Sequence, residues 1–242
     1  MKKMLMLIAA VVMVSSNGFA EEMKQEKMGK KMPTRFQAVS PDKAVILQEN
    51  ENKMYCPKCG MTLAMFYKTN HAAHVDGKSE QYCSIHCLAE TMSEAEKDGK
   101  VKVTNIKVVD NTTLKFIDAI TASYVFGSSK AGTMSMTSKY AFAKKSDAEK
   151  FAQEFGGQVM TFSAVLDSVK STLAKESAAV KKKQAMAAKK GEMMYKKMCQ
   201  PIKATFKSVA DAKTYLRTEK PCGDIKGKQL QVIGLYLNLR SK

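Results

Sequence analysis

The apolar positions of this 242-residue chain fall into short runs of alternating period up to about residue 173, and then the pattern changes. Phe66 to Val75 has the composition of a strand, Asp76-Gly77-Lys78 of a turn, and Glu80 to Cys83 of the returning strand. A helix is expected from Ser84 to Lys97, stopped at Gly99, with a further strand over Val101 to Val109. The second half repeats that order. Ser123 to Gly127 and Lys139 to Ala143 predict short strands. Ser146 and Glu149 then have the spacing of a capping box, and Ala148, Phe151, Ala152 and Phe155 follow at helical intervals. Gly156-Gly157 ends that helix and Gln158 to Phe162 predicts the closing strand. The fold class this implies is α+β: two β-β-α-β units, an internal duplication, within residues 51–173.

Either side of that region the patterning weakens. Residues 174–190 belong to an Ala/Lys/Met-rich run with little apolar stripe, read as a solvated helix or linker. Residues 191–242 predict a small helical unit, with Phe206, Val209, Lys213 and Leu216 on one face and an apolar stretch from Leu230 to Leu239. Residues 21–50 form a polar linker, of which Ala38 to Gln48 carries enough apolar positions to lie against the main domain.

Residues 1–20 have the form of a secretory signal. Lys2 and Lys3 precede an apolar run from Met4 to Val14, and Gly18 and Ala20 are small where a signal peptidase requires it. The run is too short for a permanent anchor. No cysteine lies near the cleavage point to carry a lipid, so a chain cleaved after Ala20 and periplasmic is expected. Losing two lysines would leave +15 of the formal +17. That charge selects acidic proteins, anionic membrane surfaces or nucleic acid as partners. Export disfavours nucleic acid and leaves the first two.

The chemistry concentrates between Cys56 and Cys87. Cys56-Pro57-Lys58-Cys59-Gly60 presents two thiols across a tight turn, and Cys83-Ser84-Ile85-His86-Cys87 presents two more where a strand enters a helix. Two such pairs, separated by a hairpin, can converge on one metal. Four thiolates suit Zn(II). Met61 beside the turn, the clustering of His71, His74 and His86 in the same segment, and the exported compartment pull toward Cu(I). His71 and His74 alternate on a strand, so at most one of them could reach the same centre. Thiol redox chemistry and simple disulfides remain open alternatives at this point. Apart from the cysteines, no nucleophile, base and orienting group come together, and no phosphate-binding glycine loop is present, so a binding protein rather than an enzyme is expected.

The residues Tyr55-Cys56-Pro57-Lys58-Cys59-Gly60-Met61 and Gln81-Tyr82-Cys83-Ser84-Ile85-His86-Cys87-Leu88 resemble those of the NosL family. So do Ile117-Asp118-Ala119, Tyr124-Val125-Phe126-Gly127-Ser128, Met134, Ala141-Phe142 and Phe151-Ala152-Gln153-Glu154-Phe155-Gly156-Gly157. The match spans roughly residues 50 to 170, and the cysteine spacing is also similar to the metal-trafficking TRASH and YHS modules. The resemblance implies a periplasmic Cu(I) chaperone serving nitrous oxide reductase assembly, or another copper acceptor. It also implies paired β-β-α-β units similar to part of organomercurial lyase. Family ligands map onto Cys59, Met61 and Met134, with Met136 a rival for the last. The full candidate set for Cu(I), or alternatively Zn(II), is Cys56, Cys59, Met61, Cys83, His86, Cys87 and Met134. Gly191 to Cys199 looks like the opening of a class I cytochrome c, but Cys199 is followed by Gln200-Pro201-Ile202 rather than the haem-attachment motif. A haem-less unit stapled by Cys199–Cys222 is expected.

Overall fold

The computed structural model describes residues 35–242, so the signal-peptide reading and the first part of the 21–50 segment lie outside the described residues. A first antiparallel sheet has the order β2-β1-β3-β4: β1 His71–Val75, β2 Lys78–Tyr82, β3 Val103–Val109 and β4 Phe116–Asp118. A second has the order β6-β5-β7: β5 Ser123–Phe126, β6 Lys139–Phe142 and β7 Gln158–Thr161. Helix α1, Ile85–Asp98, follows β2, and helix α2, Lys145–Phe155, follows β6, so each sheet belongs to one β-β-α-β unit. The chain is α+β, with β4 added to the first unit.

Several local expectations shift. The strand expected from Phe66 begins only at His71, because Leu63–Thr69 winds into a 3-10 turn that buries Leu63, Ala64 and Tyr67. The Ser146–Glu149 capping box does not form. Lys144 occupies the cap and Ser146 is already inside α2, so its hydroxyl cannot reach back, and Glu149 instead pairs with Lys145 at 3.6 Å. Gly99 does close α1, in the left-handed conformation at φ 69°.

The two units are stitched by buried polar groups. Asp110, 1% exposed, accepts from the Ala143 amide across the junction at 3.1 Å and from the Thr113 amide and hydroxyl within its own loop. His71 on β1 lies 3.1 Å from both the Thr69 carbonyl, through Nδ1, and the Tyr124 hydroxyl on β5, through Nε2. Burial lowers the His71 pKa to about 4. An unfolded histidine titrates near 6.5, so the unfolded chain takes up this proton first. Stability is full above that value and declines as pH falls toward 4, by about 3 kcal/mol in total. Denaturant unfolding of metal-free protein across this window should show the decline, and His71→Leu should flatten it. Equal slopes for both proteins would remove His71 as the cause.

Residues 35–50 pack on the body. Phe36 meets Tyr140 edge-on at 5.3 Å, and the Gln48 side chain, 2% exposed, donates to the Lys53 and Tyr55 carbonyls. The Ala/Lys-rich run is no loose tether. It is the interior of helix α3, Phe162–Met198, whose 37 residues extend about 55 Å. Phe162, Val165 and Val169 bury its start against the double-sheet core, while Ala188 and Gly191 bury its end against the C-terminal unit. The intervening turns hold no buried residue. Strong helix formers sustain them without an apolar face.

Helices α4, Val209–Thr218, and α5, Gly227–Leu239, complete the C-terminal unit around Leu216, Ile233 and Leu237. Ser208 and Asp211 form a reciprocal capping box on α4. A Cβ on Gly191 would stand 1.9 Å from the Val232 carbonyl oxygen, so only glycine allows α3 and α5 this close. Cys199 and Cys222 are disulfide-bonded.

Candidate metal centre

Two local devices bring four sulfurs together. In the first, the Gly60 amide donates to the Cys56 carbonyl at 2.8 Å and the Cys56 amide to the Met61 carbonyl at 2.9 Å. Gly60 turns the chain at φ 69°, a region open to glycine at little cost. In the second, Cys83 follows β2 directly, Ser84 stands in extended backbone at the N-cap of α1, and Cys87 lies in the first helical turn. The Cys59 and Cys83 sulfurs are 3.4 Å apart and those of Cys83 and Cys87 3.8 Å apart, and all four lie within 4.8 Å of one another. A tetrahedral metal bound at about 2.3 Å would set sulfur–sulfur edges of about 3.8 Å. All four thiols are buried and unbridged, and they sit in a core with Leu63, Tyr82 and Leu88.

Hydrogen bonding among the sulfurs pushes their acidities in opposite directions. Burial pushes the Cys56 thiol up, but bonds from Cys59, Cys83, Cys87 and the Cys83 backbone outweigh it and hold Cys56 well below the usual thiol range. Cys83 and Cys87 are driven well above that range, first by their bonds to Cys56 and then by those to Cys59. A central cation is what would let several of these thiols ionise together. Cys87 lies in the first turn of α1 and Cys83 just before its cap, positions where a helix dipole favours an anion.

The other candidates separate. Met61 and Met134 are partly buried against the cysteine core, Met134 with its backbone at φ 62°. Met136, its rival, is 89% exposed. His86 stands apart from the sulfurs: Nε2 faces Glu90 at 3.7 Å and the Ser177 hydroxyl at 3.3 Å, and Nδ1 faces Glu176 at 3.4 Å, so its ring bridges α1 to α3. His74 meets Asn105 at 3.2 Å. The histidine crowding of the sequence therefore resolves into three separate environments.

Sequence reasoning missed the wall behind the cysteines. Lys213 of α4 is 1% exposed, and its ammonium donates to the Gly60 carbonyl at 2.6 Å, the Thr62 hydroxyl at 3.2 Å and the Gln231 side chain at 2.8 Å. It also lies 4.1 Å over the Tyr55 ring. Gln231 of α5 donates in turn to the Cys59 carbonyl at 3.3 Å. Burial draws the Lys213 pKa down to about 7, while the charges of Cys59 and Cys56 pull the other way. The one hint in the sequence was a lysine placed among apolar positions on a helix face.

A buried four-thiol cluster on an α+β scaffold defines a soft-metal-binding protein. The chain belongs to the NosL family, whose sequence profile matches residues 47–169. The crystal structure of the copper chaperone NosL from Shewanella denitrificans is 26% identical, over 51% of this chain and 96% of that one, with a TM-score of 0.39. A search of curated proteins finds no match. No helix among the described residues is long and apolar enough to cross a membrane.

Proposed function

We propose that the protein is an exported Cu(I) carrier that takes copper into the Cys56–Cys59–Cys83–Cys87 centre and passes it to nitrous oxide reductase assembly or another copper acceptor. The observation that carries this reading is the all-sulfur cluster, buried and bordered by Met61 and Met134, in a member of the NosL family. Cu(I) favours few, soft donors, and a thioether adds affinity for it that a zinc centre would not use. A chain holding one disulfide at Cys199–Cys222 beside four reduced thiols is consistent with the periplasm, where a bound metal would guard the thiols. The role proposed is binding and transfer rather than catalysis. The surface charge suits an acidic acceptor or an anionic membrane.

Near-tetrahedral sulfur spacing also supports a second reading, a structural Zn(II) centre. Anaerobic competition titrations with chromophoric chelators for each ion separate the two. Cu(I) should be retained in preference to Zn(II), and Met61→Leu, which preserves volume, should weaken Cu(I) about tenfold with an unchanged circular dichroism spectrum. Tight Zn(II), poor Cu(I) and a Met61→Leu variant indifferent to both would overturn the carrier reading.

A further inference from the structure

The strongest feature outside the family-matched residues is the way the C-terminal helices grip the Cys56–Gly60 turn. The profile match ends at residue 169, yet α4 and α5 supply partners to two successive carbonyls of that turn, Cys59 through Gln231 and Gly60 through Lys213. Val209 of α4 fills the space beside Gly60, where a Cβ would lie 2.4 Å from its Cγ1. Asn52, just before the turn, bonds Asp211 of the same helix.

The partners of Lys213 define its form. A carbonyl, a hydroxyl and an amide oxygen surround Nζ, three acceptors for three N–H groups, with the face of Tyr55 alongside. Each of these four groups offers negative density to an ammonium, against burial and the Arg217 charge, which disfavour it. A buried cation against a turn that carries two of four thiols has an electrostatic consequence. Cu(I) or Zn(II) held by several thiolates leaves the centre with net negative charge, and in a site shielded from water that charge is costly unless a cation stands near.

We propose that Lys213 is a positioning and charge-compensating residue of the metal centre, and that α4 and α5 form the back wall of the site. The helices fix the turn so that Cys56 and Cys59 face Cys83 and Cys87, and the ammonium stabilises the loaded, anionic centre over the empty one. By reciprocity, metal loading tightens the attachment of the C-terminal unit. The inference rests on the cluster being a metal site but not on which metal fills it.

The test compares wild type, Lys213→Met and Lys213→Arg. Each is titrated anaerobically with Cu(I) and, separately, Zn(II), and thermal midpoints are recorded with and without metal. Lys213→Met should bind whichever ion the wild type prefers at least about tenfold more weakly, the size expected for an outer-shell partner of a metal ligand. Lys213→Arg, which keeps the charge, should recover most of that loss. The rise in midpoint on adding metal should shrink in Lys213→Met by more than the metal-free midpoint changes, whereas a purely structural lysine would lower both forms alike. Wild-type affinity in Lys213→Met, an arginine variant as weak as the methionine one, or an unchanged metal-induced rise would each overturn the proposal. Wild-type preference for Zn(II) would overturn the copper-carrier reading while leaving the Lys213 comparison intact. If neither ion binds the wild type, both fall.

Discussion

Replacing Cys56 and Cys59 together by serine should reduce Cu(I) affinity at least a hundredfold, whereas replacing Cys199 and Cys222 together should change it by less than about threefold. Structural Zn(II) centres of four ligands bind with about 10–16 kcal/mol, on the order of 3 kcal/mol per ligand, and on that scale losing two soft donors is severe even after partial rearrangement. A hydroxyl offers a harder oxygen that stays protonated, so serine keeps the shape of the turn without its donors. The surviving Cys83 and Cys87 sulfurs, 3.8 Å apart where β2 leads into α1, can still hold Cu(I) weakly, which is why a large loss rather than complete abolition is expected. The control pair occupies the C-terminal unit, where Leu216, Ile233 and Leu237 continue to supply a core. Its loss should appear instead as a lower thermal midpoint, since cross-links of this loop length contribute about 3 kcal/mol. Competition titration with a chromophoric Cu(I) chelator reads both. Wild-type binding by the first variant would show that the metal resides elsewhere.

What could be read from the sequence follows a physical boundary. The cysteine pairs were legible because the geometry of each pair is local: a tight turn across Cys56–Gly60 and the four-residue step from Cys83 over the Ser84 cap to Cys87 in the first turn of α1. Helix α1 was legible for the same reason, with Gly99 stopping it. The 3-10 turn at Leu63–Thr69 was missed because Phe66 and Tyr67 have strand-forming side chains while the backbone answers to burial of Leu63 and Tyr67. Strand β4, three residues long, offers no period to detect. Helix α3 gave no stripe because its central turns meet α1 through the polar Glu176 and Ser177 rather than through buried apolar side chains, which leaves only propensity as their signature.

The histidines show how proximity in sequence can mislead. Three of them near four cysteines suggested a mixed donor set, yet β1 carries His71 toward the second sheet and α1 turns His86 toward Glu176. Least legible was the wall of the site. Lys213 and Gly60 are 153 positions apart, and Gln231 and Cys59 are 172 apart. No local rule links such pairs. Gly60 in particular has two reasons to be glycine, of which the positive φ was visible in the turn pattern and the close approach of Val209 was not.

Gly60→Ala should therefore be among the most disruptive single substitutions in the protein, lowering stability by about 3 kcal/mol or more and weakening metal binding along with it. An alanine at φ 69° carries a strain of order 1 kcal/mol before any contact is considered. Its Cβ would then stand 2.4 Å from Val209 Cγ1 and 2.6 Å from Val209 Cβ, and because the Cβ is fixed by the backbone no rotamer of Val209 relieves the overlap. Relief must come from moving the turn, which displaces the Cys56 and Cys59 sulfurs, or from moving α4, which breaks the Lys213 and Asp211 attachments. Either route joins a stability loss to an affinity loss, as overpacking at a rigid contact does. Val209→Gly would remove the obstructing atoms at its own cost of about 2–4 kcal/mol, because Val209 is buried in a core with Ala188 and Leu235. In the double variant Gly60→Ala/Val209→Gly, at least about 1 kcal/mol of the alanine penalty should be recovered, a coupling that denaturant unfolding of the four proteins can measure. Strict additivity of the two substitutions would mean that the helix does not press on the turn, and the C-terminal unit would then hold the metal centre only through the Lys213, Gln231 and Asp211 bonds.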